Sequence, residues 1–229
     1  MNTFTGICPI CGGKDFSEVS VLYPELVQAW QLSSAEEAYI NRQQGFYCHQ
    51  CRNNLRAFAL AAAILHEYGF DGTLAEFCAP PRNLSVLEIN EAANLAPYLG
   101  QMPGHLLRSY PHIDMLEMDF PDESFNLVIH SDTLEHVAYP ERALSECLRV
   151  LKKDGRCIFT VPIVVGRQTR SRIGLTASYH GEKGCRDETM RVHTEFGMDV
   201  WQMGLRVGFA SCGIYALEYP AGLAVVAKK

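Results

Sequence analysis

The segment 119–162 constrains the fold of this chain more than any other. It opens with a polar turn and continues with the apolar run Phe125–His130, which is typical of a buried parallel strand. A polar loop and a helix with apolar spacing at Glu141–Leu151 lead to another strand, Gly155–Val161. Strands that alternate with helices in this way predict a mostly parallel sheet covered by helices on both faces.

The rest of the chain continues this alternation. The predicted elements, in chain order, are helix Arg52–Tyr68, strand Ser85–Ile89, a helix from about Ala92 to Leu99, a weak strand His105–Arg108, helix Met198–Val207, and strands Ala216–Tyr219 and Leu223–Ala227. A short turn, Pro220–Gly222, separates the last two strands, so we expect them to be antiparallel hairpin partners.

Composition narrows the classes of function. The chain has 229 residues, enough for one substantial core and a small appendage, and its net charge of −6 argues against general binding of nucleic acid or anionic membranes. Its longest apolar run, Ala57–Leu65, is too short to span a bilayer. Nine cysteines without a secretory signal predict free thiols and a cytoplasmic protein rather than a disulfide framework.

Four of the cysteines form two pairs, Cys8/Cys11 and Cys48/Cys51. A tight turn with this spacing directs both sulfurs at one ion, and two such turns supply the four thiolates that structural zinc prefers. Iron and redox-active thiols are the alternatives. Because four thiolates leave no open coordination position, a structural clip is favoured over a role in substrate capture.

The segment 119–162 resembles the second half of the cofactor domain of class I S-adenosylmethionine (SAM)-dependent methyltransferases, and the resemblance covers about residues 84–229. The cysteine pairs and the following helix also resemble a smaller set of these enzymes with an N-terminal zinc-binding module. The resemblance implies a Rossmann-like α/β fold with a seven-stranded sheet whose last strand is antiparallel, plus a small zinc-ribbon-like module. The expected division is a zinc module at 1–55, connecting helices at 56–83 and the methyltransferase domain at 84–229.

The resemblance implies a SAM site where the parallel strands end. Glu88 ends the first strand, where it is expected to orient the ammonium group of the methionine moiety. Asn90 and its neighbours replace the Gly-rich turn of the family, although Asn tolerates unusual backbone angles. Ser109 stands where the family usually has a carboxylate for the ribose. Asp114 matches the carboxylate near the adenine amino group, with a surface turn residue as the alternative. Met115 is expected beside the adenine ring, with a core position as the alternative.

A third loop, residues 130–137, passes under the cofactor in the family. Ser131 is therefore expected to contact the cofactor, and His136 to lie beside the reacting methyl group. Because an imidazole titrates near neutrality, His136 is the expected general base. The alternative is that His136 packs against or caps the next helix. His130 and Asp132 are weaker candidates for the same pocket.

The polar segment 164–194 is too long for a plain connector and is expected to form a lid or a binding loop, with a solvated mobile insertion as the alternative. Its many arginines and histidines contrast with the acidic chain and suggest an anionic group on the acceptor. The expected acceptor is a small-molecule or glycan-like compound that is methylated on oxygen or nitrogen.

Two other functions compete with methyl transfer. A catalytically silent scaffold protein with a zinc knuckle is favoured by the missing glycines and the missing ribose carboxylate. An RNA-modifying enzyme is opposed by the acidic charge and by the lack of a basic stripe with interleaved aromatic residues.

Overall fold

The N-terminal part of the chain folds into a short hairpin-like sheet and two helices. The computed structural model describes residues 4, 6–80, 82–180, 184 and 186–229. Strands β1 (Phe16–Glu18) and β2 (Phe46–Cys48) pair antiparallel, and helices α1 (Pro24–Ala29) and α2 (Ser34–Gly45) connect them. Ser33 caps α2 as its sequence predicts: its hydroxyl accepts from the Glu36 amide, and the Glu36 carboxylate accepts from the Ser33 amide.

The next helix is almost entirely buried. Helix α3 (Leu55–Glu67) is capped by Asn54 and packs against the central sheet. Helix α4 (Leu74–Cys78) follows, and its first two amides donate to the carbonyls of Pro9 and Ile10. The first cysteine pair is therefore fastened to the α/β domain by backbone hydrogen bonds, which satisfy donors that a helix start leaves unpaired.

The remaining elements form a six-stranded central sheet, a small three-stranded sheet and three helices. In chain order they are β3 (Val86–Ile89), α5 (Ala96–Leu99), β4 (His105–Arg108), β5 (Phe125–Ser131), α6 (Pro140–Val150), β6 (Leu151–Thr160), β7 (Ile163–Val164), β8 (Arg170–Ser171), β9 (Thr194–Gly197), α7 (Val200–Val207), β10 (Ser211–Glu218) and β11 (Gly222–Lys228).

The central sheet has the order β10-β11-β6-β5-β3-β4. Strands β4, β3, β5 and β6 are parallel, and β11 runs antiparallel to both β6 and β10. The predicted α/β fold and the antiparallel last strand are confirmed. The sheet has six strands among the described residues rather than the expected seven, because residues 109–124 form turns and no strand.

Helices cover both faces of this sheet. On one face α3 packs against residues of β6, β10 and β11. On the other face α6 and α7 bury their apolar stripes, and Leu144 and Cys147 are fully covered. The predicted helix at 92–99 is shorter than expected, since only Ala96–Leu99 is helical. Left-handed backbone at Ala93 prevents an earlier start.

The segment 164–194 is an ordered structure in its described part. It contributes β8 and pairs with β9, and β7 lies on the other side of β9. The Arg167 guanidinium binds the Glu36 carboxylate through two hydrogen bonds of 2.8 and 3.0 Å, and the Trp30 indole donates to the Ser178 hydroxyl at 2.9 Å. These two contacts fasten the segment to α1 and α2. Residues 181–183 and 185 of the segment lie outside the described residues.

One hydrophobic cluster joins the cysteine-bearing loops, α3 and the central sheet. It includes Ile10, Phe58 and Ile129, and Phe16 and Phe46 pack against it. The division at residues 55 and 83 stays a prediction. Over the part of the chain that the structure describes, helices are too short or too polar to cross a membrane.

Candidate active site and metal centre

The four cysteines of the two pairs come together. The Sγ atoms of Cys8 and Cys51 are 3.6 Å apart, those of Cys11 and Cys48 are 3.7 Å apart, and all four lie within 4.8 Å of one another. Each pair sits in a tight turn whose first carbonyl accepts a backbone hydrogen bond from four residues on. Four thiolates about 2.3 Å from one ion stand about 3.8 Å apart in a tetrahedron. The cluster therefore has the size of a tetrahedral thiolate site.

The surroundings of the cluster also suit a closed ion site. The Gly13 amide points at Cys11 Sγ, 3.4 Å away, and a Cβ at Gly13 would stand only 2.8 Å from Cys48 Sγ. Glycine is thus required there by space. Burial raises the pKa of the Cys11 thiol to about 11, so an unliganded Cys11 stays protonated at neutral pH, and a bound cation would favour its thiolate.

Glu88 is fully buried at the end of β3. One carboxylate oxygen accepts from the Ala92 amide at 2.8 Å, and the other lies 2.7 Å from His105 Nε2. One oxygen therefore holds the turn after β3, and the other fastens β3 to β4. The structure gives Glu88 a position under the turn rather than in the wall of a cavity.

The turn after β3 has the backbone of a Gly-rich turn without any glycine. Asn90, Glu91 and Ala93 all have positive φ, at 58°, 49° and 59°. Such left-handed backbone costs a residue with a Cβ about 1–2 kcal/mol. The Asn90 side chain offsets part of this cost, because its oxygen accepts from the Tyr110 amide at 2.8 Å. The residues that replace the family's glycines therefore still adopt left-handed backbone in this turn.

A cavity of about 610 Å³ opens beside this turn, and we call it the larger cavity. Four of the predicted site residues line it: Asn90, Asp114, Met115 and His136. Asp114 is exposed, and its carboxylate accepts from the Leu116 amide at 2.8 Å. The other walls come from Tyr110, Ile113, Leu116, Asp132, Thr133, Val137, Ala138, Glu188, Thr189, Met190 and His193.

Three predicted residues lie outside the walls of the larger cavity. Glu88 is buried beneath the turn, and Ser109 is exposed beside it. Ser131 is buried and its hydroxyl bonds the Thr160 hydroxyl at 2.8 Å, joining β5 to β6. His130, a weaker candidate, is buried in the core and stacks on Phe159 at 4.6 Å, where burial lowers its pKa to about 3.

A second cavity of about 370 Å³, the smaller cavity, adjoins the first. The two share Asp132, His136 and Met190 as wall residues. The rest of the smaller cavity is mostly apolar and is built by the α1–α2 region, by residues 162–163 after β6 and by the segment 164–194. These wall residues are Val21, Leu22, Leu26, Trp30, Leu32, Ile40, Gln44, Pro162, Ile163, Val164, Tyr179 and His180.

His136 stands where the two cavities meet. Its Nδ1 lies 2.9 Å from the carbonyl oxygen of Arg191. Because a carbonyl only accepts, Nδ1 carries the proton, and in the neutral ring Nε2 keeps a lone pair. The arrangement leaves Nε2 free to accept a proton or to bind a cation.

Several residues around His136 were not among the site residues predicted from the sequence. Arg56 of α3 pairs with Asp132, and Glu135 and His180 lie close to the imidazole. Desolvation raises the pKa of Asp132 to about 6, although the Arg56 guanidinium opposes the shift. Arg56 and His180 are far from the loop 130–137 in sequence, so no local pattern indicates them. Glu135 directly precedes His136 in the loop after β5, and that position was the available signal.

Comparison with known proteins bears on the same region. Residues 72–159 match the protein family described as a methyltransferase domain. A demethylmenaquinone methyltransferase from Clavibacter sepedonicus is 41% identical over 58 residues, which are 24% of this chain and 24% of that protein. The chain thus spans about a quarter of the length of that curated relative. The resemblance to class I SAM-dependent methyltransferases is confirmed for this part of the chain.

Two solved structures show a distant similarity to this chain. A SAM-dependent methyltransferase from Thermotoga maritima, described as a possible histamine N-methyltransferase, is 16% identical with a TM-score of 0.40, covering 68% of this chain and 86% of that one. A SAM-dependent methyltransferase from Aquifex aeolicus is 14% identical with a TM-score of 0.41, covering 67% and 86%. Similarities of this size carry no argument about the acceptor.

Proposed function

We propose that this protein, whose α/β domain is that of a class I SAM-dependent methyltransferase, transfers a methyl group to an oxygen or nitrogen of a small-molecule acceptor. The observation that carries the proposal is the meeting of two cavities at His136. The larger cavity adjoins the turn after β3, where this fold class binds its ligand, and the smaller cavity is apolar. Two reactants held on either side of one imidazole are arranged for transfer between them.

The residues of the larger cavity fit the cofactor. Left-handed backbone at Asn90, Glu91 and Ala93 gives the turn after β3 a conformation that usually requires glycine. Asp114 would accept a hydrogen bond from the adenine amino group, and Met115 would pack beside the ring. When bound, SAM supplies a methyl group on a positive sulfur, which is already activated for transfer. The protein has to bind, align and exclude water.

His136 is the proposed general base. Its hydrogen bond to Arg191 fixes the ring and leaves Nε2 unprotonated in the neutral form. From the boundary of the two cavities, Nε2 is placed to accept the proton that an acceptor hydroxyl or amine loses on methylation.

The walls of the smaller cavity support an acceptor with an apolar body and one nucleophilic group. Glycan-like or anionic character has less support. The Arg167 guanidinium is bound by Glu36, Arg170 and Arg172 share the carboxylate of Glu195, and none of these three arginines lines either cavity. The walls themselves are mostly aliphatic and aromatic. A phenol or an aliphatic alcohol fits this setting better than a sugar.

A structural zinc ion in the cysteine cluster is part of the proposal. The four thiols have the spacing of a tetrahedral site, and the adjacent loop has room only for glycine at position 13. A zinc ion bound there would have no open coordination position for a substrate or water. The eight described cysteines form no disulfide with one another, which supports the expected cytoplasmic location.

A silent scaffold protein remains the second candidate. It is favoured by the absence of glycines from the turn after β3 and by the lack of a carboxylate at Ser109. Calorimetric titration of the full chain with SAM and with S-adenosylhomocysteine (SAH) separates the two. Micromolar binding of both is expected for the enzyme. No detectable heat together with an unshifted melting temperature would favour the scaffold.

A further inference from the structure

Glu135 is a buried carboxylate with unused oxygens. It is 1% exposed, and neither Oε1 nor Oε2 has a hydrogen-bond partner among the described residues. A buried carboxylate without partners is costly, because its oxygens have lost water and gained nothing in return. A buried carboxylate without hydrogen-bond partners is unusual in a native fold and indicates a bound ligand. A carboxylate binds cations most strongly.

Two imidazoles stand beside Glu135. His136 Nε2 is 3.7 Å and His180 Nδ1 is 3.5 Å from Glu135 Oε1, and the two rings meet edge to face with centroids 4.9 Å apart. The three ligand atoms lie within 4.8 Å of one another. His180 belongs to the segment 164–194, so two distant parts of the chain bring this group together.

These distances suit an ion better than direct hydrogen bonds. Both nitrogen–oxygen separations exceed hydrogen-bond length. Ligands about 2.0–2.1 Å from one ion stand about 3.3–3.4 Å apart in a tetrahedron, close to what is observed. His136 also has the outer contact typical of a metal ligand, since its other nitrogen donates to the Arg191 carbonyl.

We infer that Glu135, His136 and His180 form a binding site for a divalent first-row transition metal at the junction of the two cavities. Two imidazoles and one carboxylate are a donor set that suits such ions. The site is separate from the cysteine cluster and differs from it in kind. Three protein ligands leave at least one coordination position open.

The open position has a direction. His136 lines both cavities and His180 lines the smaller one, so an ion between them would face the acceptor space. A hydroxyl or carbonyl oxygen of the acceptor is the ligand that would complete the site, and this identification alone rests on the proposed function. With the ion bound, His136 Nε2 is a ligand instead of a proton acceptor. His136 would therefore act as a metal ligand when the ion is bound and as a general base when it is not.

The test uses Co²⁺ and the full-length chain. A mild chelator removes weakly held metal while the four-thiolate site keeps its zinc, and Co²⁺ is then titrated with absorbance as the readout. We expect visible d–d bands without a sulfur-to-cobalt charge-transfer band, because no thiolate is a ligand. His180→Ala and Glu135→Gln should each weaken Co²⁺ binding at least about tenfold, since even outer contacts of metal ligands are worth that much. His66→Ala, an exposed histidine of α3 outside both cavities, is the matched control.

Each outcome decides a separate point. Equal Co²⁺ affinity in His180→Ala, Glu135→Gln and His66→Ala would overturn the metal site, as would the absence of d–d bands in the unmodified chain. His180 lies on a surface segment, so its variant is expected to fold even if Glu135→Gln does not. SAH binding is measured on the same samples. SAH binding without Co²⁺ binding rejects only the metal, and Co²⁺ binding without SAH binding rejects only the methyltransferase.

Discussion

Nδ1 of His136 donates a hydrogen bond to the backbone carbonyl of Arg191 across 2.9 Å. The bond joins the loop after β5 to the segment 164–194, and it also fixes which nitrogen of the ring carries the proton. Orientation of the imidazole therefore depends on a contact between two parts of the chain that are far apart in sequence.

His136→Asn should separate the two functions of that side chain. The asparagine amide is able to keep the contact with the Arg191 carbonyl but offers no lone pair in place of Nε2. We expect turnover to fall by about 10²–10⁴ and SAH affinity to change little, as measured by single-turnover kinetics and calorimetry. His112→Ala, an exposed histidine outside both cavities, is the control. Unchanged turnover in the asparagine variant would remove His136 from the chemistry.

Asp114→Ala should weaken SAH binding by about 1–3 kcal/mol, because bound SAH would cover this position and its adenine amino group would be left without a partner. Calorimetry measures the difference directly. Asp119→Ala provides the comparison, because Asp119 is an exposed carboxylate on the same stretch that does not line the larger cavity. Equal affinity in the two variants would place Asp114 outside the cofactor contact.

Ala93→Gly should stabilise the protein by about 1 kcal/mol. The alanine has a φ of 59°, a conformation in which its Cβ is strained and glycine is not. The same substitution at Ala38, an exposed position inside α2, should destabilise by about 0.5–1 kcal/mol. Thermal unfolding monitored by circular dichroism gives both values. Destabilisation by Ala93→Gly would mean that the turn has an ordinary backbone in solution.

Glu36 and Arg167 should make the protein acid-sensitive. Hydrogen bonds from Arg167 lower the pKa of Glu36 to about 2, from 4.5 when unpaired. Because the folded pKa is the lower one, the stabilisation is complete above pH 4.5 and is lost as pH falls towards 2. Glu36→Gln should cost about 1.5–3 kcal/mol at neutral pH and flatten the acid limb of a melting-temperature profile.

Glu37→Gln is the matched control for that experiment, since Glu37 neighbours Glu36 on α2 and forms no ion pair with any described residue. Its melting temperature should follow that of the unmodified chain at every pH. Parallel profiles for Glu36→Gln and Glu37→Gln would show that the link between α2 and Arg167 contributes no stability.

Cys48→Ser should release zinc and lower the melting temperature. A serine oxygen is a poor substitute for the thiolate, and the ion would hold together two loops that are far apart in sequence. Elemental analysis after a chelator wash should find about one zinc per unmodified chain and almost none in the variant. Cys212→Ser, a thiol outside the cluster, should keep its zinc. A variant that retains both zinc and stability would contradict a four-thiolate site.

Local patterns in the sequence predicted most of the fold. Apolar runs gave β3 and β5, the spacing of Leu144 and Cys147 gave α6, and a Pro-Gly turn gave the final hairpin. The missing strand was assigned by family resemblance alone, and the chain forms turns there because polar residues and two prolines interrupt it. The predictions that rested on apolar spacing and turn residues were therefore confirmed, and the strand expected from resemblance alone was not.

The site was predictable only in part. Asn90, Asp114, Met115 and His136 follow strand ends and meet at one cavity, as position in the sheet requires. Trp30 and His180 line the smaller cavity because α1 packs against the segment 164–194. Hydrophobic periodicity within one segment does not predict such packing between distant segments.

The contact between Trp30 and Ser178 joins two parts of the chain that are 148 residues apart, and each part supplies one side of the smaller cavity. The turn after β3 and Asp114 depend on neither of these side chains. Local unfolding that separates Trp30 from Ser178 would therefore open the smaller cavity to solvent while the turn after β3 keeps its backbone. The two cavities thus differ in how strongly they depend on packing between distant parts of the chain.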